Sequence, residues 1–464
     1  MSHVANHNQF STLGFNTSFL LFVFAFFVRL LNIAFHNLTP EYLLVEDAMM
    51  YWSGSNDMLI SRNFMQNNNG VWLPVTERVP FYYIYLATIR HFFDEGLIAT
   101  VFIQAGMDSI TCMFIGLIGS LYNRLAGILS GVMAAISPNM IIHSSSVLTD
   151  SLFLFFITVM LLALLKSFNR INLIWISVAG FTLGCAIMTR TIAQLLPFVI
   201  LPFVFIFSIR HKLCKFKALM ICTVFLFLCL LPLSPLIYRN IIYYDTFQLS
   251  SQTGIYVAGW LVPLVHQKYD GSLHEKSAHE TLKKIELNFD PAKGLDDLNP
   301  FEKSDIYTKE GLKILFNYPI TSIVSAWLEG MLINIASPAL LVDQRVRSLS
   351  KLSYYNTPGS NVFIRAYKFL FNNTKSFTII ICVTLFFIPI SIILKMYGFI
   401  IVYQKSYLIA IFMLTCVLYF IFINGPIASP KYRLPIEPIF IVLTAIGLTY
   451  FYEKWTLDSN ATVH

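Results

Sequence analysis

The sequence predicts an all-α polytopic membrane protein, on three observations. Of its 464 residues 56% are hydrophobic and only 12% charged, where a soluble domain carries roughly 25% charge. The apolar runs are long and continuous, which suits membrane helices and not the short alternating strands of an outer-membrane barrel. The remaining polar sequence is gathered into two long loops. A water-soluble enzyme of this size could not hide so much apolar surface, and 42 Phe and 23 Tyr with sparse charge exclude disorder.

About eleven segments are long enough to approach or cross a ~30 Å hydrocarbon layer: Phe19–Phe35, Leu97–Leu121, Ala126–Ile142, Ser151–Leu165, Leu173–Met188, Ile192–Ile209, Ala218–Leu236, Ile320–Leu341, Phe377–Leu394, Leu408–Ile423 and Ile436–Tyr452. No basic stretch and small-residue cleavage site frame the first of them, so it reads as a retained span. Lys and Arg set the orientation. Arg124, then Lys166 and Arg170, then Arg210, Lys212, Lys215 and Lys217 follow the second, fourth and sixth segments, whereas Arg190 alone follows the fifth. The even-numbered short loops and the N-terminus are therefore expected in the cytoplasm, and the first loop outside. The net charge of +7 belongs to these flanks and not to a nucleic-acid surface.

Three regions result. Residues 1–237 form an N-terminal membrane region whose first outer loop spans 36–95. Residues 238–319 form a large outer loop with ten of the 25 acidic residues between Asp270 and Glu310, and residues 320–464 form a C-terminal membrane region. Loops of this length are usually functional. His274–Glu286 reads as a polar helix, and Asp305–Trp327 as an amphipathic helix broken at Pro319. If Ile320–Leu341 crosses fully, Asp343–Lys375 with its six Lys and Arg lies in the cytoplasm; if that segment is re-entrant, it lies outside. Counting charge favours the full crossing.

Loop one carries Glu46-Asp47 four residues before Tyr51-Trp52. The carboxylates are either solvated loop acids or a base for a hydroxyl at the membrane boundary. Arg78-Val79-Pro80-Phe81-Tyr82 is either a membrane-edge anchor or an Arg able to fork onto a phosphate. In Ser137–Leu152 hydroxyls and His143 follow Pro138, and Asp150 either complements a helix N-terminus or lines a polar cavity. Arg190 and Arg239 are interfacial anchors or cations for a phosphate. Lys431, Tyr432 and Arg433 precede a Pro-started span. Asp108 and Glu329 lie within apolar segments, where a charge is paired or functional; Arg29, which could also snorkel, is a candidate partner.

Seven cysteines lie mostly in apolar runs, so no disulfide framework is expected. No nucleotide loop, dinucleotide fingerprint or Cys/His metal spacing occurs. No cofactor, no metal and no nucleic-acid partner are expected. The sequons at Asn16, Asn37, Asn372 and Asn460 decide nothing about compartment.

Taken in order, these motifs resemble the polytopic GT-C glycosyltransferases. More narrowly they are similar to the branch of the protein O-mannosyltransferases, the lipid A aminoarabinose transferase and the RgtA/B/C/D-like transferases. The resemblance rests on Asp47 to Tyr51, Arg78 to Tyr82, Pro138 to Asp150, Thr189-Arg190, Arg239-Asn240 and Lys431 to Pro435. Asp150 stands where that family usually shows Glu, and Thr191 where Pro commonly follows the Arg. The resemblance implies an inverting transferase whose donor is a sugar on a polyprenyl phosphate and whose acceptor is a hydroxyl. It implies Asp47 as base with Glu46 second, Arg78, Arg190, Arg239, Lys431, Tyr432 and Arg433 toward the donor phosphate, and Tyr51, Tyr82, His143 and Asp150 in the cavity or against the acceptor. The implied setting is the inner membrane of a bacterium, with the site facing outward among membrane lipids. A transporter or lipid-linked glycan flippase is the competing class, though no matched halves are evident. A glycan ligase or polymerase is a second alternative.

Overall fold

The computed structural model describes residues 13–45, 47–94, 96–287, 298–351 and 353–461. Glu46 lies outside them.

Six helices are long and apolar enough to cross a membrane: Phe15–Ala34, Gly96–Ser120, Asp150–Asn169, Thr191–Arg210, Lys375–Lys405 and Pro430–Lys454. Three helix pairs qualify only together and are bent: Arg124–Ala135 with Pro138–Ser144 by 50°, Lys215–Leu230 with Ser234–Tyr244 by 62°, and Pro300–Phe316 with Ile320–Ala336 by 112°. The described residues therefore hold six spans, or up to nine if each bent pair is one, and the expected count of eleven is not reproduced. The expected spans Leu173–Met188 and Leu408–Ile423 are the helices Leu173–Ile187 and Tyr407–Ile423, of only 15 and 17 residues. The bends fall beside Pro138, Pro232, Pro235 and Pro319, where a missing N–H and the ring disfavour continued helix.

Helix packing relies on small residues where backbones meet. Gly180 and Gly184 face the Lys215–Leu230 helix so closely that a Cβ on either would collide with the carbonyl oxygens of Phe225 and Cys229. Arg29 is fully buried and donates from Nε to Asp108 Oδ2 at 2.8 Å and from Nη2 to Ala134 O at 3.2 Å, which joins the first three helices of the bundle. The expected pairing of Asp108 with Arg29 holds.

The basic short loops share one end of the bundle. His211 Nε2 contacts Phe168 O at 2.9 Å, Arg210 lies over Tyr407, and Lys405 Nζ donates to Tyr122 O at 3.2 Å. Both long loops lie at the other end. Loop one folds into the helix Ala48–Ser61, an antiparallel hairpin (Met65–Asn68 with Val71–Pro74) and the helix Phe81–Phe92. The hairpin turn is Asn69-Gly70, both at positive φ, the pairing that such two-residue turns require. The large loop holds the expected helix at His274–Leu287, and the break at Pro319 is present between Pro300–Phe316 and Ile320–Ala336. The helix Ser234–Tyr244 runs across the expected boundary at 237/238.

The contacts around Ile320–Ala336 favour the re-entrant alternative over the full crossing that charge counting favours. Glu329 is bonded by Lys268 of the large loop at 2.8 Å and by Arg365 at 2.9 Å. Asn356 donates to Glu275 at 2.9 Å, and Arg345 donates to Asn32 at 2.8 Å. The segment 343–375 therefore packs on the large loop, at the same end of the bundle, after a helix that turns back.

Candidate functional site

Asp47 precedes the helix Ala48–Ser61 and makes no side-chain capping bond, so its carboxylate is free to face Arg78, with Nη2 to Oδ2 at 3.3 Å. The Asp47 side chain is 56% exposed and that of Arg78 17%. Such an exposed pair adds at most about 1 kcal/mol to folding, so stability alone is a weak reason for it. The Nε of Arg78 is buried without a hydrogen-bond partner among the described residues.

A second pair lies beside the first. Asp150 opens the helix Asp150–Asn169 and is ion-paired to Arg190, which leads into the short turn Thr191–Ala193. Asp150 is 4% exposed and Arg190 22%. The two segments meet because Phe81 N donates to Met188 O at 3.0 Å, which docks the stretch after Arg78 onto the end of the helix before Arg190.

Tyr51 stands between the pairs. Its hydroxyl lies in the fields of Arg78, Arg190, Asp47 and Asp150. Burial raises its pKa above the usual phenol value and outweighs the two guanidiniums, which keeps the hydroxyl protonated. Its ring meets that of Tyr82 edge-on at 5.2 Å. Tyr82 is fully buried and donates to Gln104 Oε1 at 2.8 Å, while Gln104 Nε2 donates to Ser146 O at 2.7 Å. Tyr82 thus packs behind Tyr51. His143 is buried, with Nδ1 2.8 Å from Asn139 O, and shares the fields of Asp150, Lys431 and Arg190. Lys431 also acts on Asp150, and Tyr432 on Arg190.

The structure therefore gathers Asp47, Tyr51, Arg78, His143, Asp150, Arg190, Lys431 and Tyr432. Arg239 and Arg433 are turned to the frame. Arg239 donates to Val75 O at 2.7 Å, to Phe64 O at 3.3 Å and to Asn240 Oδ1. Arg433 donates to Glu437 Oε1 at 2.8 Å, Ile335 O at 2.8 Å and Ser337 O at 3.0 Å. Sequence reasoning missed Asn139 and Glu437. Asn139 Nδ2 donates to Glu437 Oε1 at 3.1 Å and to Pro430 O at 3.2 Å, which holds the late loop against the Pro138 turn. An Asn directly after the proline of a broken helix was the available signal.

The arrangement offers one solvent-facing carboxylate, two guanidiniums and an ammonium in partly desolvated surroundings, where fixed cations act strongly on a developing anion.

Residues 78–238 match the family described as "Dolichyl-phosphate-mannose-protein mannosyltransferase". That stretch includes Arg78, His143, Asp150 and Arg190; Asp47 precedes it. No curated protein matches the sequence. Among solved structures, the chain is similar to the archaeal oligosaccharyltransferase AglB from Archaeoglobus fulgidus in complex with an inhibitory peptide and a dolichol-phosphate. The TM-score is 0.55 at 13% identity, over 96% of this chain and 51% of that one. A structure of the Archaeoglobus fulgidus oligosaccharyltransferase tethered to an acceptor peptide gives 0.53 at 13% identity, over 95% and 50%. ArnT from Cupriavidus metallidurans bound to undecaprenyl phosphate gives 0.43 at 13% identity, over 94% and 78%. The chain spans about half the length of the archaeal enzyme, 51% of it. Over residues 78–238 the chain thus matches that family's model, and along nearly its whole length its fold is similar to that of a polytopic oligosaccharyltransferase.

Proposed function

We propose that the protein is an inverting glycosyltransferase that moves a sugar from a polyprenyl phosphate to a hydroxyl acceptor at the outer face of the membrane. The observation that carries this reading is the half-exposed carboxylate of Asp47, 3.3 Å from Arg78, beside the Asp150–Arg190 pair and Lys431. An isoprenoid phosphate agrees with the family matched over 78–238 and with the dolichol-phosphate held by the archaeal relative. The acceptor is a hydroxyl of a glycolipid, a polysaccharide or a protein.

The acceptor hydroxyl attacks C1 of the sugar from the face opposite the phosphate, and its proton passes to the Asp47 carboxylate. The new C1–O bond forms as the C1–O bond to phosphate breaks. The lipid phosphate leaves with that electron pair, and the anomeric configuration inverts. Negative charge then grows on the phosphate, where Arg78, Arg190 and Lys431 stabilise it; one well-placed donor is worth about 3 kcal/mol, roughly a hundredfold in rate. Phosphate leaves readily without a proton, so the protonated Tyr51 hydroxyl need only donate a hydrogen bond. Arg433 and Arg239 hold the main chain around these groups.

The test is Asp47→Asn in proteoliposomes containing polyprenyl phosphate-linked radiolabelled hexoses and pentoses with envelope glycolipids, polymers and proteins as acceptors. The variant is expected to insert and melt like the parent while label stays on the lipid. Transfer at the parent's rate would remove Asp47 as the base, and transport of label without covalent transfer would replace the enzyme by a flippase.

A further inference from the structure

We propose that Arg239 is a positioning residue for Arg78, acting through the backbone between the hairpin and the site; this rests on the transferase reading above. Four of its five N–H donors are engaged away from any ligand. Nε and Nη2 donate to Asn240 Oδ1 at 3.0 and 2.7 Å, Nη2 also to Val75 O at 2.7 Å, and Nη1 to Phe64 O at 3.3 Å. Phe64 and Val75 flank the hairpin, whose register pairs Met65 with Pro74, and Val75 N donates back to Phe64 O at 3.2 Å. One guanidinium thus closes the open end of the hairpin, with its Cζ 5.2 Å from the centroid of the Phe64 ring.

Val75 is also the first residue of an arch that carries Arg78. The arch is pinned at three places. Arg239 holds Val75 O. Ser251 N donates to Thr76 O at 2.8 Å, and Ser251 Oγ to Thr76 Oγ1 at 3.2 Å. At the far end Phe81 N donates to Met188 O at 3.0 Å, and Pro80 restricts the turn before it. Arg78 sits between these pins and points at Asp47. Its own guanidinium makes one long bond, so the arch rather than side-chain contacts fixes its position. Asn240, whose Nδ2 donates to Gln248 O at 2.6 Å, ties the same clamp to the start of the large loop. A planar fork reaches two carbonyls and Asn240 at once; an ammonium reaches fewer.

A residue that acts through Arg78 differs from one that touches phosphate. Arg239→Lys keeps the charge and loses the fork. The probe is undecaprenyl phosphate titrated against the purified full chain in detergent, with hydrogen exchange of the arch amides Glu77, Arg78 and Val79 measured in parallel. Arg78→Lys is expected to weaken binding, and Arg239→Lys to weaken it about fivefold. The double variant should be no weaker than Arg78→Lys alone, since coupled residues are not additive. Arg239→Lys should also speed exchange at the three arch amides while the melting temperature holds; Arg239→Gln serves if the lysine variant folds poorly. Additive losses, parental affinity in Arg239→Lys, or unchanged arch exchange would each overturn the proposal. Parental affinity in Arg78→Lys would instead strike the transferase reading of Arg78, and the exchange result would still decide whether Arg239 holds the arch.

Discussion

Arg190 bonds the carboxylate of Asp150 across the join between two helices, forty residues apart in sequence, with the carboxylate almost wholly buried. A buried charge that loses its partner costs far more than the pair contributes. Arg190→Met is therefore expected to cost about 3–5 kcal/mol of stability as well as transfer activity. Arg190→Met combined with Asp150→Asn should recover most of the stability and none of the activity. Thermal unfolding in detergent, set beside the transfer assay, checks both halves; recovered activity in the double variant would make the pair purely structural.

Arg29 and Asp108 make the same kind of pair deep in the bundle, with both side chains almost wholly buried. Arg29→Met alone should again cost about 3–5 kcal/mol, whereas Arg29→Met with Asp108→Leu should be close to the parent in stability. The readout is the melting temperature of the two variants in one detergent.

Gly180 and Gly184 set the distance between the helices Leu173–Ile187 and Lys215–Leu230. Gly184→Leu has no room against the Cys229 carbonyl and Pro232, and should cost about 1–3 kcal/mol through overpacking. Gly14→Leu, where a Cβ meets nothing within 4 Å, is the matched control and should leave the melting temperature near that of the parent.

Asn356 and Glu275 bond across the large loop and the segment after the turned-back helix. Cysteines in place of both should cross-link under oxidation in intact membranes, and both should react with the same membrane-impermeant thiol reagent. Labelling from opposite sides would restore a full crossing at 320–341.

Several features were legible in the sequence for clear physical reasons. Pro319 breaks the helix because it lacks a donor, and the polar pattern of 274–286 suits a helix with one face in water and His274, Ser277, Thr281 and Ile285 turned inward. Asp108 had to find a cation, and Arg29 was within reach in the bundle. Charge counting at 320–375 took in Arg345 and Arg365, whose charges are partnered and are not free flanks. They are bonded to Asp343 and Glu329, so the count registered internal ion pairs rather than sidedness. The hairpin escaped notice because its strands are four residues each, although Asn69-Gly70 marks the turn. Nor does a sequence say where a guanidinium points. Arg78 and Arg239 look alike as letters, yet one faces a carboxylate and the other two main-chain carbonyls.

The packing of residues 343–375 on the large loop bears on where the two ends of the membrane region lie. Phe15–Ala34 lies antiparallel to Gly96–Ser120, with Leu21 near Gly116 and Arg29 at Asp108, so it starts near Tyr122. The final long helix brings Glu453 within electrostatic range of that same Tyr122. Fusion reporters placed ahead of the first helix and behind the last would light up one compartment together, whereas an extra passage at 320–341 would have divided them.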